Sequence, residues 1–469
     1  MLSDATPDFL AGLEAALGRG ILRAPEPRDL EEPRGRFRGR AAAVALPRST
    51  GEVAGIVRAC AEARVGIVPR AGGTGLVGGQ VMVAGPLPLI LSVERLDRIR
   101  AVLPGEEAII AEAGVTLLAV QEAAAEVGRL FPLSLAAEGT ARVGGALATN
   151  AGGVQVLRYG NARDLCLGIE AVLADGSVMS GLKTLRKDNT GYDLRHLLIG
   201  SEGTLGIITA ASLRLFPRPR ERATAWIAVA SPEAALALLG ALRERIGEAV
   251  SAFEIMHRTG LEFLAAHLPQ FRAPIVAGEW FLLLELAAGP ASGVAEALEE
   301  ELGKALSAGH VTDAVFAASE AQRAAIWAVR EAIPEANRLR GAVASHDVSL
   351  PLSRIPGFVA EAGRRLGALE ASLRVNCFGH LGDGNLHYNV FPGEGRRREE
   401  YEGVREAITE CVHGLVHELG GSVSAEHGIG RLRIRDLERF GDPGKLAAMR
   451  AIKRALDPLG ILNPGAVMA

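Results

Sequence analysis

The chain has few cysteines, no long apolar run and no surplus of either charge. Its four cysteines, Cys60, Cys166, Cys377 and Cys411, are scattered through 469 residues with no CxxC pair among them. That argues against a disulfide frame, a zinc ribbon and an iron–sulfur cluster. No stretch approaches the roughly 20 apolar residues that a membrane-spanning helix needs, so no transmembrane segment is expected. The start, Met1-Leu-Ser-Asp-Ala-Thr-Pro, lacks the basic residues and apolar run of a signal peptide. Lys plus Arg total 51 against 55 for Asp plus Glu, a net charge of −4. Nothing electrostatic therefore recommends nucleic acid as a partner. These absences point to a cytoplasmic protein, with peripheral membrane contact left open.

What is present is apolar residue in quantity, 48% of a long chain, enough for two or three lobes. Short apolar runs alternate with helical periodicity, the pattern of a mixed α/β domain. A helix is expected over Pro7 to Leu17. Strands are expected at Ala43-Val-Ala-Leu, Gly66-Ile-Val-Pro, Ala108 to Ala111, Gly168 to Leu173 and Gly206 to Leu215. Ser49 and Glu52 match a capping box opening a helix over Val53 to Ala63. Phe216-Pro-Arg-Pro-Arg reads as a linker. Beyond it, strand-like Ala225 to Ala230, a helix over Pro232 to Ile246, strand-like Phe281 to Leu286 and a helix over Ala291 to Ala305 suggest an α+β cap. A late helix, Glu402 to Leu419, carries the apolar stripe Val404, Ile408, Cys411, Leu415 and Leu419, and Gly420-Gly421 stops it.

Three glycine-rich stretches stand at strand edges. The first, Pro69-Arg-Ala-Gly-Gly-Thr-Gly-Leu-Val-Gly-Gly79, can turn backbone N–H groups towards one point, as a pyrophosphate requires. Within it, Gly73-Thr-Gly-Leu-Val-Gly78 formally matches GxGxxG. That motif needs a helix directly after it, whereas Val81-Met-Val-Ala-Gly-Pro-Leu-Pro cannot form one, so the Rossmann reading fails. Gly144-Gly-Ala-Leu-Ala-Thr-Asn-Ala-Gly-Gly153 and Gly200-Ser-Glu-Gly-Thr-Leu-Gly-Ile207 follow. One such loop could be a plain turn. Three suit a long ligand with phosphates at one end and a ring system at the other.

The second half carries Gly379-His-Leu-Gly-Asp-Gly-Asn-Leu-His-Tyr-Asn389 and Ser424-Ala-Glu-His-Gly-Ile-Gly430. Two histidines around a Gly-Asp-Gly turn, with a distant Glu-His pair, could supply two nitrogens and an oxygen to a divalent metal. Zinc comes first, with manganese or iron as alternatives, and open positions would remain for substrate. The competing reading is histidines that cap turns or pack inside. His413 and His417, one helical turn apart, lack a carboxylate to complete a metal motif and read as surface or boundary residues.

Arg70-Ala-Gly-Gly-Thr-Gly-Leu, Phe131-Pro-Leu-Ser-Leu, Ala148-Thr-Asn-Ala-Gly-Gly-Val and Gly200-Ser-Glu-Gly-Thr-Leu-Gly resemble the FAD domain of the vanillyl-alcohol oxidase/p-cresol methylhydroxylase flavoproteins. Leu185-Arg-Lys-Asp-Asn-Thr-Gly-Tyr-Asp-Leu194 is similar to their D-2-hydroxyglutarate dehydrogenase, D-lactate dehydrogenase and glycolate oxidase branch. The resemblance covers nearly the whole chain. It implies an α+β fold: an N-terminal helical segment (1–40), a two-subdomain FAD-binding domain (41–219), an α+β substrate and metal cap (220–425) and a C-terminal segment returning to the FAD domain (426–469). FAD contacts are implied at Arg70, Gly72, Gly73, Thr74, Gly75, Leu76, Gly78, Pro132, Gly139, Thr140, Gly144, Gly145, Thr149, Asn150, Gly153, Glu202, Gly206, Ile207 and Asn463. Covalently tethering members place a histidine in or near the first loop, and no histidine here precedes His196, so FAD is expected to be non-covalent.

By the same resemblance His380, His387 and Glu426 are the metal ligands, His427 the general base, and Arg330, Asn389 and Ser345 substrate-facing residues. The implied reaction is metal-assisted deprotonation of a D-2-hydroxy acid, with hydride passing to flavin N5. An arginine fork suits the substrate carboxylate; the plain alternative for Arg330 is a helix-surface ion pair. The chain departs from the 2-hydroxyglutarate pattern at Ser345, where a lysine is usual, and at Pro334, where a hydroxyl residue is usual. A second substrate carboxylate would thereby lose a cation and a donor, which favours a lactate-like monocarboxylate. Ala466 also replaces a common lysine in the Asn463-Pro-Gly tail. Electrons are expected to leave to an electron-transfer flavoprotein, a quinone or a cytochrome, and a homodimer is left open. The rivals are a flavin-free metal hydrolase and a catalytically silent flavin-binding protein.

Overall fold

A computed structural model describes residues 1–468. The chain divides into two compact units. One comprises Met1–Gly153, Tyr159–Arg218 and Glu426–Ala469; the other comprises Val154–Arg158 and Pro219–Ala425.

The first unit begins with a helix over Pro7–Leu17, started by Thr6, whose hydroxyl accepts the Phe9 N–H at 3.2 Å. Its strands are β1 (Leu22–Arg23), β2 (Ala43–Ala45), β3 (Ile67–Arg70), β4 (Leu89–Ser92), β5 (Ile99–Leu103), β6 (Ala108–Glu112), β7 (Arg129–Leu130), β8 (Cys166–Val172), β9 (Val178–Ser180), β10 (Ile207–Arg214) and β11 (Phe216–Pro217). They form a four-stranded sheet in the order β1-β2-β4-β3 and a five-stranded sheet in the order β5-β6-β10-β8-β9, with β7 and β11 as a separate pair. Helix Thr50–Ala63 buries Val53, Ile56, Val57 and Cys60 against the first sheet. Ser49 caps it through the Glu52 N–H at 3.2 Å, but the Glu52 carboxylate reaches the Arg48 N–H at 2.7 Å. The reciprocal half of the expected capping box is thus displaced by one residue. The expected linker at Phe216 begins instead as strand β11, which pairs antiparallel with β7, and Phe216 packs edge-on against Tyr159 at 4.7 Å. The chain's last segment returns to β3: Ile67 donates to the Ile461 carbonyl at 2.7 Å, and Asn463 donates to the Ile67 carbonyl at 2.8 Å.

The second unit is built on β12 (Glu221–Val229), β13 (Val250–His257), β14 (Trp280–Ala288), β15 (Val311–Phe316), β16 (Ala344–Ser349), β17 (Arg374–His380) and β18 (Asn385–Phe391). They make one antiparallel sheet in the order β15-β12-β14-β13-β17-β18-β16. One face carries Phe253, Ile255, Cys377, Tyr388 and Val348 into a core with helices Pro232–Ile246, Val294–Ser307, Ile355–Leu369 and Arg405–Glu418. The other carries Trp226, Met256, Leu283 and Phe378 against helices Arg258–His267 and Glu320–Arg340. Covered on both sides, the central strands read as continuous apolar runs rather than alternating ones. Their polar exceptions therefore need partners.

His413 corrects a sequence expectation. It is buried, not a boundary residue, because β16 brings His346 within 3.1 Å of its ring nitrogen. A polar side chain paired in this way tolerates an interior position. His417 is exposed.

Candidate functional site

In the second unit, strand register decides which side chains meet. Residues directly opposed in an antiparallel ladder share a face, and side chains two apart in a strand share it too. Glu254 opposes His380, Phe378 opposes His387, Asp347 opposes His387, and Ser345 opposes Asn389. All of these lie on the two-helix face. The hairpin between the histidines is tight. Gly384 adopts φ +87°, and a Cβ there would lie 2.3 Å from the Leu350 carbonyl oxygen, so no other residue fits. The two imidazoles stand 5.6 Å apart at 79°, with a nitrogen of each within 4.8 Å of the other's.

Each histidine has a carboxylate beside it. His380 Nδ1 lies 2.6 Å from Glu254 Oε1, and His387 Nδ1 lies 3.6 Å from Asp347 Oδ1. Asp347 also accepts from Asn385 Nδ2 at 2.9 Å. Arg330, from helix Glu320–Arg340, is buried; its Nε and Nη2 reach Glu254 Oε2 at 2.9 and 2.8 Å, and it lies over the Phe378 ring. The plain reading of Arg330 as a surface residue is therefore set aside, although the ion pair is real. Pro334 stands four residues on in the same helix. It removes the N–H that would have bonded the Arg330 carbonyl.

Glu254 is a functional residue that local sequence hardly signals: its one sign is a lone carboxylate in Ala252-Phe-Glu-Ile-Met256, since a buried charge must be paired. Burial alone would raise its carboxyl, but His380 and Arg330 outweigh that and hold it at about 2. Because its folded value is depressed, its stabilising contribution is complete above the unfolded value of 4.5 and is lost as pH falls through about 2. The destabilisation caused by Glu254→Gln, read from urea midpoints, is thus expected to be largest above about pH 5 and to shrink below it. A pH-independent difference would contradict this electrostatic account.

In the first unit the three glycine-rich loops meet. The first follows β3, and its residues 71–76 are half-buried. Among the described residues, none of the backbone N–H groups from Gly72 to Gly78 donates to another group. A row of unspent donors on a glycine loop fits the phosphates of a dinucleotide. A Cβ at Gly72 would lie 2.3 Å from the Thr140 carbonyl oxygen, and one at Gly153 2.0 Å from that of Ser134. Gly139 and Thr140 sit on an exposed turn, Pro132 is buried, and Gly144, Gly145 and Thr149 lie on or cap helix Val143–Ala148. Asn150 adopts φ +50° and accepts the Arg163 N–H at 3.0 Å. Gly206 leads into β10 at Ile207.

Several predicted contact residues hold the loops themselves. Glu202 is buried, which raises its carboxyl, and it accepts the Ile429 and Gly430 N–H groups at 2.7 and 2.9 Å. That fixes the backbone just after Glu426 and His427, both of which are half-buried. Asn463 Nδ2 donates to the carbonyls of Gly79 and Glu202 at 3.0 and 2.8 Å. Arg70 is turned inward, with Nη2 on the Arg28 carbonyl at 2.8 Å and Nε 3.7 Å from Asp29. Ala425, the last residue of the second unit, donates to the Asp347 carbonyl at 3.3 Å, and Glu426 is the next residue in the chain.

The loop amides suit FAD. Comparison with known proteins agrees on the flavin. A family profile described as "FAD binding domain" matches residues 41–181, and one described as "FAD linked oxidases, C-terminal domain" matches 218–467. The mitochondrial D-2-hydroxyglutarate dehydrogenase of Bos taurus is 38% identical over 470 residues, covering 98% of this chain and 84% of that protein. The D-2-hydroxyglutarate dehydrogenase of Xanthomonas citri pv. viticola is 37% identical over 90% of this chain and 88% of its own length. A Schizosaccharomyces pombe protein named provisionally as a mitochondrial D-lactate dehydrogenase is 33% identical, over 97% of this chain and 88% of that protein. The structure of p-cresol methylhydroxylase with substrate bound shares the fold, with TM-score 0.76 and 18% identity over 100% of this chain and 98% of that one. Some of these names carry the word mitochondrial, and the cytoplasmic location expected from sequence is not confirmed by them. No helix among the described residues is long and apolar enough to cross a membrane. The family match removes the flavin-free hydrolase reading: the chain belongs to the FAD-linked oxidase family of flavoenzymes, with the fold of p-cresol methylhydroxylase.

Proposed function

We propose that this oxidoreductase converts a D-2-hydroxy acid to the 2-oxo acid with metal-assisted deprotonation of the hydroxyl. The observation that carries the reading is the paired histidines on one sheet face, beside a buried arginine and the Ser345–Asn389 pair. When bound, FAD takes up the two electrons and a divalent metal lowers the hydroxyl pKa. His380, His387 and Glu426 hold the metal in this reading. The sheet hairpin fixes the first two, and the third follows directly on Ala425. Arg330 has its Nε and Nη2 on Glu254, and its Nη1 protons serve the substrate carboxylate. Asn389 and Ser345 contact the substrate from adjacent strands. His427 takes the hydroxyl proton, on a backbone fixed by Glu202.

A monocarboxylate such as D-lactate is slightly favoured over D-2-hydroxyglutarate, although relatives bear the latter name. Ser345 offers no charge to a second carboxylate, and Pro334 offers no hydroxyl. Ser345→Lys is expected to raise kcat/KM for D-2-hydroxyglutarate relative to D-lactate by at least about tenfold, the worth of one charge-assisted contact. An unchanged ratio would remove Ser345 from the specificity argument.

The test of the whole reading is the visible spectrum of the purified protein during anaerobic addition of D- and L-2-hydroxy acids, with and without chelator. Bleaching of the flavin band by a D-acid, abolished by chelation, is expected. A flavin band that no D-acid bleaches with metal supplied would favour the silent flavoprotein.

A further inference from the structure

We infer that Glu254 is a positioning residue whose two carboxylate oxygens hold His380 and Arg330, joining the metal-facing and substrate-facing groups through one side chain. The inference rests on the metal reading proposed above. Its geometry lies wholly within one sheet and the helix packed on it. Glu254 and His380 are directly opposed across β13 and β17, so no loop has to order for them to meet. Oε1 takes the His380 side at 2.6 Å and Oε2 takes both Arg330 contacts, at 2.9 and 2.8 Å.

With Nδ1 donating to that carboxylate across 2.6 Å, Nε2 is the ring nitrogen that can serve a metal. His387 has its own carboxylate neighbour, Asp347, at 3.6 Å. The same carboxylate holds the Nε and Nη2 side of Arg330, so a change at Glu254 should reach metal and substrate together.

The test is Co(II) binding by the FAD-loaded protein, followed by calorimetry and by the visible d–d bands. Glu254→Gln cannot accept from Arg330 and His380 as an anion does. It is expected to weaken Co(II) binding by about 10–100-fold, the usual effect of losing a partner behind a metal ligand, and to shift the d–d bands. Its KM for the acid should also rise, at unchanged FAD content. Glu254→Asp keeps the charge at shorter reach and should recover part of the affinity. If Glu254→Gln does not fold, Glu254→Gln/Arg330→Met removes the stranded cation and reads the His380 arm alone, with the same loss of Co(II) affinity expected. Wild-type Co(II) affinity and unshifted bands in whichever variant folds would overturn the inference while leaving the metal reading intact. A wild-type protein that binds no Co(II) would overturn both.

Discussion

Replacing His427 with alanine is expected to slow flavin reduction by the D-2-hydroxy acid by about 10²–10⁴-fold, the range of a lost general base. FAD content should not change. The reason lies in how the residue is carried. Gly428 adopts φ +79°, and a Cβ there would lie 2.7 Å from Glu202 Oε1, so the chain passes close over that carboxylate. Glu202 holds the Ile429 and Gly430 amides, and those bonds survive the substitution. The local backbone therefore stays while the imidazole goes. Single-turnover reduction followed at the flavin band reads the chemical step directly. Full turnover with normal flavin would remove His427 from the mechanism.

Gly72→Ala should give protein that is nearly colourless. The added Cβ would stand 2.3 Å from the Thr140 carbonyl oxygen and 3.2 Å from Ala141 Cα. Both are backbone, so no side chain can swing aside. The first glycine loop and the turn at 137–141 must separate by about an ångström to reach ordinary contact. The amides from Gly72 to Gly78 then lose the common direction on which a pyrophosphate depends. Flavin content per protein, read from the visible band after desalting, is expected to fall at least about tenfold, a loss of about 1.4 kcal/mol or more in binding. Gly139→Ala is the control, since nothing lies within 4 Å of its added Cβ. Equal flavin in both variants would mean that the loop contact does not shape the cofactor site.

Much of the fold was legible because its signals are local. Pro232 to Ile246 was bounded to the residue, since Ser231 caps one end and Gly247 ends the other. No helix follows the first glycine loop, and Gly85-Pro-Leu-Pro in the sequence already forbids one. The histidine hairpin announced itself by Gly-Asp-Gly between two apolar strands. What was not legible depends on pairing across long sequence distances. Glu254 meets His380 over 126 positions, and only sheet register brings them together. His413 looked peripheral from its own helix; its partner, His346, comes from a strand 67 residues earlier. The family resemblance implies Glu202 and Asn463 as ligand contacts, and nothing in the sequence shows that their side chains bind loops of the first unit to one another.

The edge of β3 has a consequence for how the chain is made. In the sheet order β1-β2-β4-β3 that strand is outermost, and its free side pairs with residues 461–463. During synthesis β3 emerges almost 400 residues before the segment that covers it. For that interval the nascent first unit presents an open strand edge, a template for pairing with other chains. Ribosome-bound chains stopped short of residue 460 should thus bind holdase chaperones, and released full-length chains should let them go.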